Sequence, residues 1–228
     1  MEMFSISHKM YTHMNMKIRK ILFSIATAFL LLTLFFAWFN RAPERNIPRE
    51  ANTIVSPANG KVIAIQEEQD QILRFFKKGR ENVVSLPLIN PPYKAIVIEM
   101  NISNVHVQRM PIGGKIVSKR YIPGRFQNAV FSKNKEKLAE ENEKMIHIIR
   151  NDDTTVGVIQ VAGILARRIQ SFVNEGDVLQ KGDIFGRILL GSQVVLVLPD
   201  DAQLNVKVGD ILIDGESVVA TLPSNKKE

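Results

Sequence analysis

The stretch EGDVLQKGDIFGRILLGSQVVLVLP, residues 175–199, contains the features that decide the fold. Short runs rich in Val, Ile and Leu alternate here with Gly-Asp pairs and one Gly-Ser pair. Runs of this length bounded by turn residues are typical of β-strands joined by tight turns. The stretch therefore predicts several short strands and no helix.

The same texture extends through most of the chain beyond residue 50. Further runs of three to seven residues alternate with Gly, Pro, Asn and Asp. This pattern predicts a mainly β domain over residues 53–223, either a sandwich or a hybrid barrel. Residues 133–144 are the exception, because they are polar throughout and predict a solvated helix or a mobile loop. The predicted strands are residues 61–66, 83–89, 95–100, 115–118, 145–150, 155–161, 193–198, 211–213 and 217–222.

A weak internal repeat links residues 175–186 with residues 208–220. Both contain Gly-Asp, then two to four residues, then another Gly. Units of this kind occur in lipoyl-like and hybrid-barrel folds, where glycine supplies the positive φ of a tight turn. We therefore expect a structural role for these glycines and assign them no chemistry.

One apolar segment, ILFSIATAFLLLTLFFAWF at residues 21–39, carries no charge, proline or glycine. As a helix it would be roughly 28 Å long, about the thickness of the hydrocarbon layer of a membrane. The alternative is a cleaved secretory signal, for which the run is long and no small-residue cleavage site follows. We expect a membrane anchor at 21–39, preceded by a tail at 1–20 and followed by a linker at 40–52.

The orientation of this anchor is left open by the charges. Basic residues flank both ends in nearly equal number, so the positive-inside rule does not choose a side. A single span and a re-entrant hairpin are both compatible with the sequence. Met10, Met14 and Met16 offer alternative translation starts within the tail.

Composition limits the kinds of chemistry available. The chain of 228 residues has no cysteine, which excludes disulfides, a thiol nucleophile and thiolate metal ligands, and its four histidines do not form a metal-binding motif. The formal net charge of +7 favours an anionic partner. Basic residues are dispersed and not interleaved with aromatics, so we expect a membrane surface and no nucleic acid.

Four segments, in this order, resemble the phosphatidylserine decarboxylase family, particularly its short form. They are FNRAPERNIP at 39–48, VSPANGKV at 55–62, NVHVQRMPIGG at 104–114, and 163–199, which begins with GILARRI and contains the Gly191-Ser192 pair. The resemblance covers the chain from about residue 35 onward. It implies a membrane-bound enzyme that converts phosphatidylserine, or an archaeal equivalent, to phosphatidylethanolamine and CO2.

The resemblance also implies a cofactor made from Ser192. A ketone condenses with an amine and then accepts the electrons released by decarboxylation, which no ordinary side chain does well. In this family a serine hydroxyl, here that of Ser192, attacks the Gly191 carbonyl to form an ester. Elimination then separates a chain ending at Gly191 from residues 192–228, whose new terminus carries the pyruvoyl group. The two chains remain assembled.

Other site residues follow from the same resemblance. His106 matches a family histidine near the pyruvoyl group, and an imidazole can donate the proton that replaces CO2. Arg109, Arg167 and Arg168 are candidates for binding the substrate phosphate or carboxylate, because guanidinium binds both groups in a bidentate way. No metal is expected. The β domain is expected at the cytoplasmic face of the cell membrane, as a homo-oligomer.

Asn59 departs from the family, which has aspartate at this position. The aspartate is thought to help activate the serine, and an amide can neither take a proton nor stabilise an imidazolium. Three alternatives follow: an inactive relative, slow maturation with His106 or water as base, or deamidation of the Asn59-Gly60 pair to aspartate. A non-catalytic, membrane-tethered hybrid-barrel adaptor is the competing function.

Overall fold

The computed structural model describes residues 2–77, 79–124, 142–162, 169–189 and 192–223. The chain separates into two compact units, Met1–Arg41 and Ala42–Glu228. Residues 42–52 of the predicted linker therefore belong to the second unit. This unit begins with irregular chain, and its first strand starts at Thr53.

The first unit is one helix, α1, at Glu2–Phe39. Its segment Ile18–Phe39 is long and apolar enough to cross a membrane, and its side chains before Phe39 are exposed. Thr27 and Thr33 donate their hydroxyl hydrogens to carbonyls four residues earlier, at 2.9 Å each. These bonds satisfy the polar groups inside the helix, as an apolar surrounding requires.

The second unit is built from short strands, in agreement with the predicted mainly β class. Many of them are shorter than five residues, so packing between sheets must supply most of their stability. The strands are β1 Thr53–Val55, β2 Gly60–Glu68, β3 Ile72–Lys77, β4 Arg80–Ser85, β5 Tyr93–Glu99, β6 Val107–Arg109, β7 Gly114–Ile122, β8 Lys144–Arg150, β9 Thr155–Val161, β10 Ile169–Ser171, β11 Val178–Leu179, β12 Ile184–Ile188, β13 Gln193–Pro199, β14 Gln203–Leu204, β15 Ile211–Leu212 and β16 Val218–Thr221.

The largest sheet has eight strands in the order β11-β7-β8-β9-β13-β5-β2-β15. Each of its faces carries its own hydrophobic core, because neighbouring side chains along a strand point to opposite faces. One face packs on the β3-β4 hairpin, through side chains that include Leu73, Phe75 and Val195. The other packs on the three-stranded sheets β1-β16-β14 and β10-β12-β6.

The hybrid-barrel alternative is not what the structure shows. Among the described residues, none of the sheets closes into a barrel. The eight-stranded sheet instead lies between two layers, which is a sandwich arrangement. Edge strands β11 and β15 contain only two residues each, and such short edges limit pairing with other chains.

The predicted repeat is confirmed and extends further than its sequence pattern. Strand β11 pairs with β7, and β15 pairs with β2, in the same register relative to a glycine that begins each long strand. The turn glycines of both copies have positive φ, as expected: they are Gly176, Gly182, Gly209 and Gly215. Each copy of the repeat thus supplies one short edge strand, β11 or β15, to the eight-stranded sheet.

Gly60 and Gly114 are the matching glycines that begin β2 and β7. A Cβ added at Gly60 would lie 2.3 Å from the Glu99 carbonyl oxygen, and one at Gly114 would lie 2.6 Å from that of Arg150. Alanine at either position is expected to lower the free energy of unfolding by about 1–3 kcal/mol, because two backbones must separate. Chemical denaturation measures the loss. Gly113→Ala is the control, since a Cβ added there would lie 3.4 Å from its nearest neighbour, the Lys181 nitrogen. An equal loss of stability in the control would contradict the steric explanation.

The prediction for residues 133–144 was wrong in its described part. Residues 133–141 lie outside the described residues, but Asn142, Glu143 and Lys144 are buried and Lys144 begins β8. The Asn142 amide donates to Asn82 Oδ1 at 3.2 Å, which ties this segment to the β3-β4 hairpin. Polar composition alone did not reveal that these side chains have partners inside the domain.

Candidate active site

Ser192 lies immediately before β13 and is 2% exposed. Its carbonyl accepts a hydrogen bond from the Met100 amide at 3.0 Å, and its hydroxyl donates to Met100 Sδ at 3.3 Å. Thioether sulfur is a weak acceptor, so the hydroxyl is oriented without being strongly held. Gly191, the other half of the predicted cleavage site, lies outside the described residues.

The pairing of the strands places Ser192 at one end of the eight-stranded sheet. The next residue, Gln193, pairs with Glu99 of β5 on one side and with Val161 of β9 on the other. Lys61 of β2 also pairs with Glu99, so Lys61 and Gln193 are about 10 Å apart across β5. We call this end of the sheet, where Lys61, Glu99 and Gln193 lie side by side on neighbouring strands, the Ser192 end.

His106 is buried near this end, just before β6. Its Nδ1 lies 2.8 Å from the Asn104 carbonyl oxygen, and its own carbonyl accepts the Ile188 amide at 3.0 Å. Gln108 Nε2 donates to the same His106 carbonyl at 3.0 Å and lies 3.9 Å from Met100 Sδ. The Met100 sulfur therefore contacts both Ser192 and Gln108, which connects the serine with the segment that carries His106.

Gln108 and Gln160 are site residues that the sequence did not indicate. Both are fully buried, and Gln160 Nε2 donates to Gln108 Oε1 at 2.7 Å. Gln160 Oε1 is buried without a hydrogen-bond partner among the described residues. A buried amide oxygen of this kind can bind a ligand donor or, with the amide rotated, expose its NH2 group as a donor. The one signal in the sequence is a glutamine inside the apolar run TVGVIQV of β9.

Asn59 is held by a different part of the domain. Its Oδ1 accepts the Asp214 amide at 2.6 Å, from the turn between β15 and β16. No hydrogen bond joins its side chain to Ser192 or His106 within the residues that the structure describes. Its nearness to the site comes from its place just before β2, at the Ser192 end.

Asp214 is a fully buried carboxylate with two arginine partners. Arg109 Nε donates to Asp214 Oδ2 at 2.8 Å, and Arg45 Nη2 donates to Oδ1 at 2.6 Å. Arg109 also donates to the Gly182 carbonyl at 2.8 Å and to the Pro43 carbonyl at 2.7 Å. The contacts of Arg109 are thus internal and tie the linker to β6. Arg167 and Arg168 lie outside the described residues.

His147 is a second buried histidine, placed in β8 and unused by this site. Its Nε2 lies 3.0 Å from Ser171 Oγ, and its ring packs edge-on against Phe185 with centroids 5.0 Å apart. Burial and, to a smaller extent, the nearby Lys119 charge lower the pKa of His147 to about 3. The imidazole is therefore neutral at physiological pH.

This histidine is expected to make the fold sensitive to acid. The stability that comes from its neutral form is complete above pH 6.5, the unfolded pKa, and is lost as pH falls toward 3. Between pH 7 and 5 the wild type should lose about 2 kcal/mol of unfolding free energy more than His147→Gln. Denaturation curves at the two pH values measure the difference, and parallel losses in both proteins would contradict it.

A cleft of about 610 Å³ lies at the other end of the sheet, lined by residues that include Arg150, Thr155 and Pro199. Pro199 is the last residue of β13, whereas Ser192 precedes the first. The cleft is therefore separated from Ser192 by the length of this strand and is not part of the site. No group of three potential metal ligands occurs among the residues described.

Comparison with known proteins identifies relatives over most of the chain. The sequence profile of the family described as phosphatidylserine decarboxylase matches residues 32–220. A protein of Syntrophus aciditrophicus named phosphatidylserine decarboxylase proenzyme is 38% identical over 198 residues, which is 86% of this chain and 84% of the relative. Proteins with the same name from Nitratidesulfovibrio vulgaris and Magnetococcus marinus are 38% and 37% identical, over 86% and 81% of this chain and 82% and 77% of their own lengths.

Proposed function

Because the chain belongs to the phosphatidylserine decarboxylase family, whose members are decarboxylases, we propose that it is a self-cleaving, pyruvoyl-dependent proenzyme. Its proposed reaction is the conversion of phosphatidylserine to phosphatidylethanolamine and CO2 at a membrane. The observation that carries this proposal is the buried Ser192 hydroxyl at the start of β13, one methionine away from the segment that holds His106. An adaptor without catalysis has no use for this arrangement.

The proposed maturation begins at the Ser192 hydroxyl. Its oxygen bonds to the Gly191 carbonyl carbon while the peptide C–N bond breaks, and its proton moves to the Ser192 nitrogen. Loss of the α-proton of Ser192 then expels the Gly191 carboxylate. The oxygen of a water molecule then replaces the Ser192 nitrogen, which leaves as ammonia. The sequence of steps therefore needs no oxidant or reductant.

The residues around Ser192 fit the ketone that results. Ser192 is buried, and the amides of Gln108 and Gln160 lie on the sheet face that its side chain shares with Met100. A pyruvoyl group at this position supplies the electron sink for decarboxylation. We assign proton donation to the substrate carbon to His106. Gln108 holds the backbone beside it, and the unpartnered Gln160 oxygen is available to the substrate.

The arginines divide into two roles. Arg109 is assigned to positioning, because its guanidinium bonds to Asp214 and to two backbone carbonyls inside the domain. Arg167 and Arg168 remain the proposed partners of the substrate phosphate or carboxylate. Their support is their place in the matching segment GILARRI and the bidentate chemistry of guanidinium.

The test of this function is the mass of the freshly purified chain. A self-cleaving proenzyme gives two fragments that meet at Gly191-Ser192, the second blocked by a pyruvoyl group, and releases CO2 from phosphatidylserine vesicles. A chain that stays at 25.7 kDa and never splits would exclude the pyruvoyl mechanism. Decarboxylation of an archaeal serine lipid, with none of phosphatidylserine, would reassign the substrate.

Replacing Asn59 with aspartate is expected to raise the rate of self-cleavage at least tenfold. A carboxylate can accept a proton or stabilise an imidazolium, and the Asp214 amide would hold it where Asn59 Oδ1 now lies. Intact-mass time courses of the two proteins measure the rates. Peptide mapping of the wild type shows whether Asn59 has deamidated beforehand. An unchanged rate in the Asn59→Asp protein would remove position 59 from the activation of the serine.

Orientation and assembly are part of the same proposal. We assign the β domain to the cytoplasmic face, supported by the family resemblance and compatible with Arg41, Arg45 and Arg49 after the apolar segment. Protease treatment of sealed inverted and right-side-out vesicles distinguishes the two orientations. A homo-oligomer of the cleaved unit is expected, and sedimentation of the detergent-solubilised protein measures its size.

A further inference from the structure

We propose that the Ser192 end of the β domain docks on the surface of a lipid bilayer through Phe76 and Ile102, which places the reacting group at the level of lipid headgroups. The inference rests on the proposed function for its lipid substrate. Its structural basis is independent of the cleavage chemistry. Both side chains are large, apolar and exposed, and each lies on a segment that is bonded next to Ser192.

Phe76 is held outward by the β3-β4 hairpin and is 62% exposed. Its carbonyl accepts a hydrogen bond from Gln193 Nε2 at 3.3 Å, directly beside Ser192. The neighbours on both sides, Phe75 and Lys77, point inward and are buried, and Lys77 Nζ donates to the Val161 carbonyl at 2.7 Å. The hairpin is therefore fixed to the sheet at this point, and the position of the aromatic ring follows from it.

Ile102 is 53% exposed in the turn that joins Met100 to His106. The Asn104 amide donates to the Asn101 carbonyl at 3.1 Å, and the Asn101 amide donates to Asn104 Oδ1 at 2.7 Å. Two asparagines thus close the turn on either side of Ile102, whose side chain stays about half exposed. One end of the turn contacts Ser192 through Met100, and the other contacts His106 Nδ1 through the Asn104 carbonyl.

A bilayer is the partner that this end fits. The chain carries an apolar segment, Ile18–Phe39, that can anchor it to a membrane. A diacyl lipid keeps its acyl chains in the hydrocarbon, so its headgroup reaches Ser192 most easily if the Ser192 end faces the bilayer. Lys61, also at the Ser192 end, is exposed, and its partner on β15 is the exposed Ile211. These two residues add a cation and a further apolar side chain to the proposed docking surface. Apolar side chains beside a basic residue are what an anionic interface binds.

Because the full chain has no cysteine, single-cysteine labelling tests the surface directly. Phe76→Cys and Ile102→Cys carry an environment-sensitive dye in full-length protein reconstituted into phosphatidylserine-containing vesicles with brominated acyl chains. Leu88→Cys and Val178→Cys are the controls, since both are exposed apolar residues near the opposite end of the sheet. We expect quenching and a blue shift at 76 and 102 but not at 88 and 178. Equal signals at all four positions would overturn the proposal. So would dye–dye quenching that disappears when labelled protein is diluted with unlabelled protein, because it would show that this end contacts a second copy of the chain.

A kinetic arm separates docking from catalysis. The double variant Phe76→Ser, Ile102→Ser is expected to raise the apparent KM for vesicle phosphatidylserine about tenfold. Self-cleavage and turnover of a soluble short-chain phosphatidylserine should be unchanged, because neither side chain belongs to the catalytic group. Equal kinetics of variant and wild type on vesicles would count against the docking surface. If the wild type does not cleave itself, the proposed function is refuted, but the labelling experiment still tests the docking surface.

Discussion

Replacing Ser192 with alanine is expected to leave one uncut chain that releases no CO2 from phosphatidylserine. The hydroxyl is both the nucleophile for the Gly191 carbonyl and the source of the ketone, so its removal eliminates cleavage and catalysis together. The change removes one oxygen, whose hydrogen-bond partner within the described part of the chain is the weak acceptor Met100 Sδ, so the fold should persist. Gel electrophoresis, intact mass and CO2 release from vesicles measure the three outcomes.

The control for this experiment is Ser171→Ala. That hydroxyl contacts His147 Nε2 and the Val173 carbonyl, neither of which has a role in the proposed cleavage. Its loss should affect stability slightly and leave cleavage intact. If Ser192→Ala still splits at residue 191, or if it keeps full decarboxylase activity, the assignment of the reacting group is wrong.

Replacing Asp214 with alanine is expected to lower the free energy of unfolding of the β domain by about 3–5 kcal/mol. Removal of one partner leaves the Arg109 guanidinium largely buried without its carboxylate, and this cost exceeds the value of the bond itself. Arg45 loses its partner as well, so the linker loses one of its bonds to the turn between β15 and β16 and keeps the one from the Asn46 amide to Glu216 Oε1 at 3.1 Å. Denaturant unfolding of the detergent-solubilised protein measures the change.

Two variants make this result specific. Glu81→Ala breaks the exposed pair with Arg74, whose atoms are 3.9 Å apart, and should cost less than about 1 kcal/mol. Asp214→Asn keeps the size of the side chain and the amide that binds Asn59 Oδ1, so it isolates the loss of charge. Equal stability of the Asp214→Ala and Glu81→Ala proteins would show that the buried cluster does not hold the linker.

Sequence patterns were sufficient for strands β9 and β13 and for the apolar helical segment that ends at Phe39. The run at 155–161 is strand β9, and the run at 193–198 lies within β13, Gln193–Pro199. Their apolar side chains adjoin one another along the chain, so a local window contains the whole signal. By contrast, β3 was missed, since its six residues alternate between buried and exposed positions and include Arg74 and Lys77.

For the site, the sequence alone was sufficient to identify the family. It also predicted the Gly191-Ser192 pair, His106 and the unusual Asn59, because each stands in a motif formed by the residues directly beside it. Tertiary structure decided which groups meet. Arg109 and Asp214 are 105 positions apart, and Gln160 reaches Gln108 across 52, so both contacts depend on strand pairings that no local window contains. Burial makes these contacts necessary, since a guanidinium or an amide removed from water must find a partner inside the protein.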